Sequence, residues 1–209
     1  MTTKPTLSSR IWGLDWGHHL PWSLGDLTVT QGSFDEALSF VGHHYESIFG
    51  DGKDSGFLSD PFTEAKRRFG DEMDVLLMRA DCQVVGLLVA HPIDWTTYYM
   101  RSVAILPEYR ERKLFAQMVE RCFEPLRFVG VERIEGETAP TNMVMMRALT
   151  NLGFLVTSTA NSERWGATVR FTRFLREEAA SVFAEKFCRT PLARGRSAPP
   201  SSAIERSPP

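Results

Sequence analysis

The chain has 209 residues, which is enough for one well-buried domain and short for two. Hydrophobic residues make up 43% and charged residues 24%, a composition that is typical of globular proteins and excludes a fibrous or wholly disordered chain. The formal net charge of -2 provides no large basic field, so composition supports neither a nucleic-acid partner nor binding to an anionic membrane.

The two ends of the chain differ in composition from its middle. Residues 1–10 are polar and lack the apolar run of a signal peptide, and no segment approaches the roughly 20 apolar residues of a membrane helix. Residues 190–209 are rich in Pro, Ser and Arg and bury too little apolar surface to order themselves. We therefore expect a disordered N-terminus over 1–10, one folded domain over 11–189 and a disordered tail over 190–209.

Three cysteines, Cys82, Cys122 and Cys188, are scattered without CxxC spacing. Such an odd, scattered set is typical of buried thiols in a reducing compartment and favours neither disulfides nor a zinc site. The histidine pairs at 18–19 and 43–44 do not predict a metal site, because adjacent histidines do not readily face one ion. We expect a cytoplasmic protein without a metal.

The first half of the folded body alternates short strands with two helices. A β-rich run at 27–30 precedes Ser33, which forms a capping box with Glu36 and begins a helix that extends to residue 49. Pro61 marks a second helix start, because proline at the first helical position loses no hydrogen bond. Apolar runs then predict an antiparallel meander of three strands, at 74–78, 83–91 and 96–106.

The second half alternates helices and strands, which places the chain in the α/β (α+β) class. The predicted helices are 114–126, with Pro125 kinking or ending it, then 141–152 and 176–187; the predicted strands are 131–137, 154–159 and 167–175. Upstream, Trp12, Trp16 and Trp22 fit either the wall of an acceptor pocket or aromatic packing of an N-terminal arm.

The segment 106–115 places a strand end, a proline turn and a helix start within a few residues. A helix N-terminus presents unpaired amides and the positive end of a dipole, so it can hold a diphosphate without a dedicated side chain. Arg110, Arg112 and Lys113 would add positive charge. Taken alone, the segment also fits ordinary strand–helix punctuation with solvated basic residues.

Two motifs resemble the GNAT family of N-acetyltransferases. Residues 102–110, SVAILPEYR, are similar to the strand and turn that precede the family's coenzyme A pyrophosphate loop. Residues 110–115, RERKLF, fall on the family's Arg/Gln-x-x-Gly-x-Gly/Ala loop. Asn142 with residues 146–154, MRALTNLGF, resembles the family's Asn-led helix that ends in Gly-Phe. The order of elements over 27–175 also matches the family.

This resemblance implies a GNAT-like fold: a mixed, mostly antiparallel central sheet of six to seven strands, flanked by helices. Its central strands, here 96–106 and 131–137, would splay apart and admit the pantetheine arm of an acyl-CoA. The main chain of the first strand would pair with pantetheine like an extra strand. The residues that would bind the cofactor are Val103, Ala104, Ile105, Arg110, Glu111, Arg112, Lys113, Leu114, Phe115 and Asn142. Asn142 alone is more often a helix cap than a ligand.

Three positions depart from the family's pattern. Lys113 and Phe115 stand where the loop usually has Gly and then Gly or Ala, which allow close approach of phosphate to backbone. Lys113 would then swing outward to pair with a phosphate, and Phe115 would point into the hydrophobic stripe of its helix. Leu149 stands where many members carry a tyrosine that protonates the departing thiolate, so the proton needs another route.

Glu137 and Tyr99 rank first as catalytic candidates, ahead of Tyr98 and Asp94. A carboxylate or phenol at a strand end beside the splay can relay a proton through water. Either residue taken singly also fits an ordinary strand position.

The resemblance implies an N-acyltransferase that passes an acyl group, acetyl in the simplest case, from acyl-CoA to an amine by direct attack. The amine would belong to a small molecule or a peptide. Two alternatives stay open: a transferase whose acyl donor is an acyl-carrier protein that meets the basic loop, and a non-catalytic GNAT-like binding module. Sequence does not identify the acceptor or the oligomeric state.

Overall fold

The computed structural model describes residues 5–49, 63–162 and 166–188. In chain order, the strands within these residues are β1 (Trp22–Leu24), β2 (Leu27–Gln31), β3 (Asp74–Ala80), β4 (Gln83–Pro92), β5 (Thr97–Ile105), β6 (Arg133–Thr138), β7 (Leu155–Ser162) and β8 (Gly166–Phe174). The α-helices are α1 (Leu7–Trp12), α2 (Phe34–Phe49), α3 (Glu64–Asp71), α4 (Leu114–Phe128), α5 (Met143–Asn151) and α6 (Glu177–Phe183).

All the described strands belong to one mixed sheet with the order β1-β2-β3-β4-β5-β6-β8-β7. Neighbouring strands run antiparallel except β5 and β6, which are parallel. The predicted mixed, mostly antiparallel sheet is therefore confirmed. It has eight strands where six to seven were expected, because β1 spans only Trp22–Leu24 and is too short for an alternating pattern to reveal it.

The predicted capping box at the start of α2 is confirmed. The Ser33 amide donates to Glu36 Oε2 at 2.8 Å, and the Glu36 amide donates to Ser33 Oγ at 3.2 Å. The helix start predicted at Pro61 lies outside the described residues, and α3 is described from Glu64, with Thr63 as its N-cap. α4 continues through Pro125 to Phe128, so this proline does not end the helix.

Part of the N-terminal segment that was expected to be disordered forms the helix α1. The Leu7 amide donates to the Glu72 carbonyl at 2.7 Å, and Ser8 Oγ donates to the buried carboxylate of Asp74. The helix is only six residues long, so it is too short for a periodic pattern to indicate it. Its position depends on these two contacts with the chain around β3.

The tryptophans of the N-terminal arm pack against the sheet. Trp16 is 1% exposed, and its ring meets Trp22 edge-on with centroids 5.9 Å apart. The same ring lies 6.3 Å from the ring of the buried Tyr98, and Trp12 lies 6.2 Å from that ring. Of the two roles considered for these tryptophans, the geometry favours aromatic packing.

The chain divides into two compact units, Met1–Arg176 and Glu177–Pro209. The described part of the second unit consists of α6 and a short π-helix, Ala184–Cys188. The predicted single domain over 11–189 stays a prediction. Cys122 is buried, whereas Cys82 is exposed in the β3–β4 turn, contrary to the expected burial. In the part of the chain that the structure describes, no helix has both the length and the apolar character that a membrane crossing requires.

Candidate active site

The parallel strands β5 and β6 separate partway along their length. They pair only from Thr97 to Met100 on β5 and from Arg133 to Gly136 on β6. β5 then continues for five residues, to Ile105, with no partner on that side among the described strands. The two strands thus stop pairing before their C-terminal ends, as the predicted splay requires, and we call the gap between these ends the cleft.

A β-bulge marks the point where β5 leaves β6. On the other edge of β5, Val89 pairs with Ser102 and Ala90 pairs with Met100, so Arg101 is the extra residue. A bulge bends the strand that contains it, which turns the rest of β5 away from β6. Gly136 ends the ladder on β6, where a Cβ would lie 3.3 Å from Met100 Cε.

The free edge of β5 presents backbone groups to the cleft. The Leu106 amide donates to the Val85 carbonyl at 3.0 Å, so alternation directs Ala104 toward β4 and directs Val103 and Ile105 toward the cleft. Arg110 Nε donates to the Ile105 carbonyl at 3.0 Å. The Val103 amide and carbonyl and the Ile105 amide therefore form the hydrogen-bonding edge of the cleft.

The loop after β5 adopts left-handed backbone at two positions without glycine. Glu111 has φ 64° and Lys113 has φ 56°, both in the region that favours glycine. Lys113 is the N-cap of α4, and no side chain caps the helix. The first amides of this 15-residue helix thus face the loop with the positive end of the helix dipole behind them.

Two of the three basic side chains in this loop have intramolecular partners. Arg110 donates to the carbonyls of Ile105 and Ile48, which ties the loop to β5 and α2. Arg112 forms an ion pair with Asp26 in the β1–β2 turn, and its guanidinium lies 5.8 Å from the centre of the Tyr109 ring. Lys113 is exposed, so it is the loop's free cation among the described residues.

The side chains of Leu114 and Phe115 point away from the loop into the core. Leu114 is 3% exposed and Phe115 is 9% exposed. The expectation that Phe115 joins the hydrophobic stripe of α4 is confirmed, which leaves the first turn open. Only the main chains of these two residues face the loop, so their predicted part in cofactor binding stays a prediction about backbone groups.

Asn142 is the N-cap of α5. Its Oδ1 accepts a hydrogen bond from the Met145 amide at 3.1 Å, the capping role that was the more frequent expectation for an asparagine. The residue is exposed, and its Nδ2 group has no hydrogen bond among the described residues. Leu149, about two turns into the same helix, is 2% exposed and belongs to the core.

Glu137 and Tyr99 lie on the same face of the sheet, beside the splay. Tyr99 is opposite Glu135 in the β5–β6 register, and Glu137 is two residues further along β6. Glu137 Oε1 accepts from Arg170 Nε at 2.8 Å, and Oε2 accepts from Thr168 Oγ1 at 3.0 Å. Both oxygens of this carboxylate are therefore oriented from β8.

Tyr99 is in a setting that keeps its hydroxyl protonated. Burial, followed by the negative charge of Glu137, raises the pKa of Tyr99 above its ordinary value. A phenol of this kind donates a proton and does not act as a base near neutral pH. The two residues ranked first from the sequence thus differ in what they can do: one is an oriented carboxylate and the other is a neutral acid.

Sequence reasoning missed five other polar residues on this face. Glu135 lies between Arg133 and Arg170, with an N···O distance of 3.5 Å to each. His91 is opposite Tyr99 on β4, and Arg101 is the bulge residue. The relevant signal is the alternation of polar residues along β6 and β8, which becomes interpretable only when the strand register is known.

His91 is held in one neutral tautomer. Burial lowers the pKa of His91, and its Nδ1 lies 2.8 Å from the Pro92 carbonyl. A carbonyl only accepts, so Nδ1 carries the hydrogen and Nε2 is an acceptor. That Nε2 atom is buried without a hydrogen-bond partner, as is Glu135 Oε2.

The chain matches the family model described as "Acetyltransferase (GNAT) family" over residues 41–154. No curated protein matches it. Its fold is similar to that of the yncA protein of Salmonella typhimurium, solved with its cofactor acetyl-CoA. That structure is 17% identical, with a TM-score of 0.51 over 73% of this chain and 96% of the other.

Two further solved structures are similar in fold. One is a chimeric spermidine N-acetyltransferase from Vibrio cholerae and hSSAT, which is 14% identical, with a TM-score of 0.57 over 74% of this chain and 99% of the other. The other is the ribosomal-protein-S18-alanine N-acetyltransferase of Escherichia coli, which is 12% identical, with a TM-score of 0.55 over 71% of this chain and 94% of the other.

Proposed function

This chain belongs to the GNAT acetyltransferase family, and from that premise we propose that it transfers an acyl group, acetyl in the simplest case, from acyl-CoA to an amine acceptor. The amine attacks the thioester directly, with no covalent enzyme intermediate. One observation carries the proposal: the unpaired edge of β5 beyond Met100 leads directly to the uncapped N-terminus of α4. An extended thiol arm that ends in a diphosphate fits both features at once.

The fit to an acyl-CoA can be tested residue by residue on the donor side of the cleft. Val103 and Ile105 supply main-chain groups for pantetheine, and the first turn of α4 supplies amides for the diphosphate. Lys113 adds the free charge, and Asn142 Nδ2 is available to the arm. The missing glycines do not obstruct this site, because Lys113 has the left-handed backbone of a glycine and Phe115 is buried.

A free coenzyme donor fits the loop better than an acyl-carrier protein. A carrier would need several exposed cations, but Arg110 donates to two backbone carbonyls and Arg112 is paired with Asp26. Among the described residues of this loop, Lys113 is then the cation left for an acidic partner.

The two cysteines that the structure describes as free, Cys82 and Cys122, fit the reducing environment of a cytoplasm.

On the acceptor side, Glu137 and Tyr99 divide the proton transfers. The oriented carboxylate of Glu137 accepts the ammonium proton through a water, which frees the amine for attack. Tyr99 is a neutral phenol one residue before the end of the β5–β6 ladder, so it serves the departing thiolate in place of the tyrosine that Leu149 replaces. The rest of the rate enhancement comes from holding thioester and amine side by side.

The test is thiol release from acetyl-CoA, measured over a panel of amines, together with calorimetry of CoA binding. Asn142→Ser keeps the cap oxygen and removes the Nδ2 donor, so we expect weaker binding of CoA with unchanged stability. Asn142→Ala removes both, and we expect an added loss of about 1 kcal/mol in the free energy of unfolding.

The calorimetry tests binding of the acyl donor, and the panel of amines tests the transfer. If the protein binds neither acetyl-CoA nor longer acyl-CoAs, the proposed function is wrong. If it binds them and releases no thiol with any amine, the donor half stands and the transfer is wrong. A preference for an acyl-carrier protein over acyl-CoA as donor would favour the carrier alternative.

A further inference from the structure

The cleft face that carries Tyr99 has an unusual arrangement of charge. Three carboxylates and two arginines on this face form one connected set of ion pairs: Asp94, Glu135, Glu137, Arg133 and Arg170. Three negative and two positive charges leave a net charge of -1 on that set. We call it the acceptor network.

Arg101 lies outside the acceptor network but on the same face. Alternation along β5 puts Arg101 on the side of Tyr99, and as the bulge residue it stands where the cleft opens. Among the residues that the structure describes, no carboxylate pairs with it, and its side chain is exposed. Its charge nevertheless acts on both His91 and Tyr99, which places the guanidinium near these two rings.

Two buried acceptor atoms on this face have no hydrogen-bond donor. Glu135 is 9% exposed, and its Oε2 has only the arginine at 3.5 Å. His91 is 6% exposed, and its Nε2 lone pair is unsatisfied. An unsatisfied buried acceptor costs free energy, so a donor such as an ammonium group would be favoured there.

We propose that the acceptor substrate is a compact zwitterion, an amine that carries a carboxylate close to it, with the carboxylate held by Arg101 and the ammonium by the acceptor network. The proposal rests on the function proposed above and names the substrate class for the same site. Within the described part of the chain, the free charge of Arg101 and the network's excess negative charge match one carboxylate and one ammonium. Arginine binds carboxylate in a two-pronged geometry that a lysine does not reproduce.

The same arrangement disfavours a polyamine. A linear polyamine brings several positive charges, whereas two of the three negative charges of the acceptor network are already balanced by Arg133 and Arg170. Arg101 would repel a second ammonium at the mouth of the cleft.

The experiment compares acids with matched amides as acceptors. Thiol release from acetyl-CoA is measured with leucine, phenylalanine, glutamine and glycine, with the four corresponding amino-acid amides, and with spermidine. We expect at least one free acid to exceed its amide in kcat/KM by about 10- to 100-fold, the effect of one two-pronged charged contact. We expect Arg101→Gln to reduce that ratio to near one, and Arg101→Lys to restore part of it.

Arg121→Gln is the matched control, because Arg121 is an exposed arginine on α4 that lines a different depression, beside His19 and Trp22. It should leave the acid-to-amide ratio unchanged. Amides or spermidine that equal the acids would overturn the proposal, and so would a preference for acids that survives in Arg101→Gln.

Calorimetry of the same acids and amides in the presence of CoA separates this proposal from the proposed function. Acids that bind more tightly than amides, with the difference lost in Arg101→Gln, support the zwitterion site even if no thiol is released. Thiol release with amines other than these acids leaves the acyl transfer standing and rejects the zwitterion. If CoA binds but none of the acids does, the zwitterion is rejected as well.

Discussion

Two regions that border the cleft between β5 and β6 are built differently. The donor side is the free edge of β5 together with the donor loop that leads to α4, and the acceptor face is the face of the sheet that carries Tyr99 and Glu137. The donor side consists of main chain: a free strand edge, two left-handed residues and an uncapped helix. The acceptor face consists of side chains in ion pairs that join β6 to β8 and to the β4–β5 loop.

Because of this difference, the donor side and the acceptor face should tolerate substitution differently. A site made of backbone survives substitution as long as the new residue adopts the same φ and ψ, which explains how Lys113 and Phe115 occupy glycine positions of the family. A site made of paired charges does not, because removing one partner leaves the other buried and unpaired. The donor loop should therefore tolerate substitution, and the acceptor face should resist it.

The largest expected effect is on the acceptor face. We expect Glu137→Gln to lower kcat about 100-fold or more, because the amide does not take up the ammonium proton. The KM for acyl-CoA should stay within about threefold of wild type, since the donor side makes its contacts through main chain. Steady-state kinetics with the best acceptor of the panel measures both.

Glu132→Gln is the control for this change, since Glu132 is a more exposed carboxylate at the start of the same strand and pairs with Arg176 at 4.0 Å. It should leave kcat unchanged. A kcat for Glu137→Gln within about threefold of wild type would contradict the assignment and weaken the contrast between the two sides.

The next effect concerns stability on the donor side. We expect Phe115→Ala, which returns the loop to the family pattern, to lower the free energy of unfolding by about 3 kcal/mol, because it empties a core position. The affinity for acyl-CoA, measured at a temperature where the variant is fully folded, should not improve. Urea unfolding and calorimetry provide the two quantities.

Phe128→Ala on the same helix is the matched comparison, because Phe128 is 86% exposed and should change the free energy of unfolding by less than about 0.5 kcal/mol. A tighter complex with acyl-CoA in Phe115→Ala would show that the phenyl ring does obstruct the loop, and our account of the donor side would then be wrong.

Two variants of Lys113 distinguish the effect of its backbone conformation on stability from the effect of its charge on binding, and the expected differences are smaller. We expect Lys113→Gly to be more stable than Lys113→Ala by about 1 kcal/mol, because only glycine takes a φ of 56° without strain. Both variants lose the ammonium, so both should bind acyl-CoA equally less tightly than wild type. Equal unfolding free energies for the two variants would contradict the left-handed backbone.

The smallest expected effect is a pH dependence at the edge of the acceptor network. Burial acts to raise the pKa of Asp94, but hydrogen bonds from Thr96 and Thr97 and the charge of Arg133 outweigh it and hold the pKa at about 2. A depressed pKa stabilises the fold above the unfolded-state value near 3.9, and this contribution is lost as the pH falls through about 2.

Asp94→Asn should thus be less stable than wild type at pH 7, by at most about 1 kcal/mol because the carboxylate is partly exposed. The difference should shrink between pH 4 and pH 2. Urea unfolding at pH 7, 4, 3 and 2 tests this, and a difference that stays constant over the range would count against the charge of Asp94 as its source.

The fold was predictable because its elements have clear local signals. Ser33 and Glu36 predict the start of α2, and the apolar runs around 74–78 and 83–91 predict the β3–β4 hairpin. α1 and β1 gave no such signal, since six and three residues are too few for periodicity and their positions depend on Asp74, Trp16 and other distant partners.

The site was predictable in its donor half only. The turn after Pro107 and the helix start at Leu114 are local features, so the sequence indicates them. The acceptor network depends on which residues of β6 and β8 stand opposite each other, and Glu137 finds Arg170 across 33 positions of sequence. Because one step of register exchanges the two faces of a strand, these partners could not be assigned before the register was known.

One short ladder, between β5 and β6, joins the two parts of the sheet. Four residues of each strand join β1–β5 to β6–β8, and this is the parallel pair of the sheet. An acyl-CoA arm that lies along Val103 and Ile105 adds hydrogen bonds at that junction, so binding should slow amide hydrogen exchange in β5 and β6 first. Bound acyl-CoA would then act as an added strand at this junction, and we expect β5 and β6 to be more rigid in the complex than in the free protein.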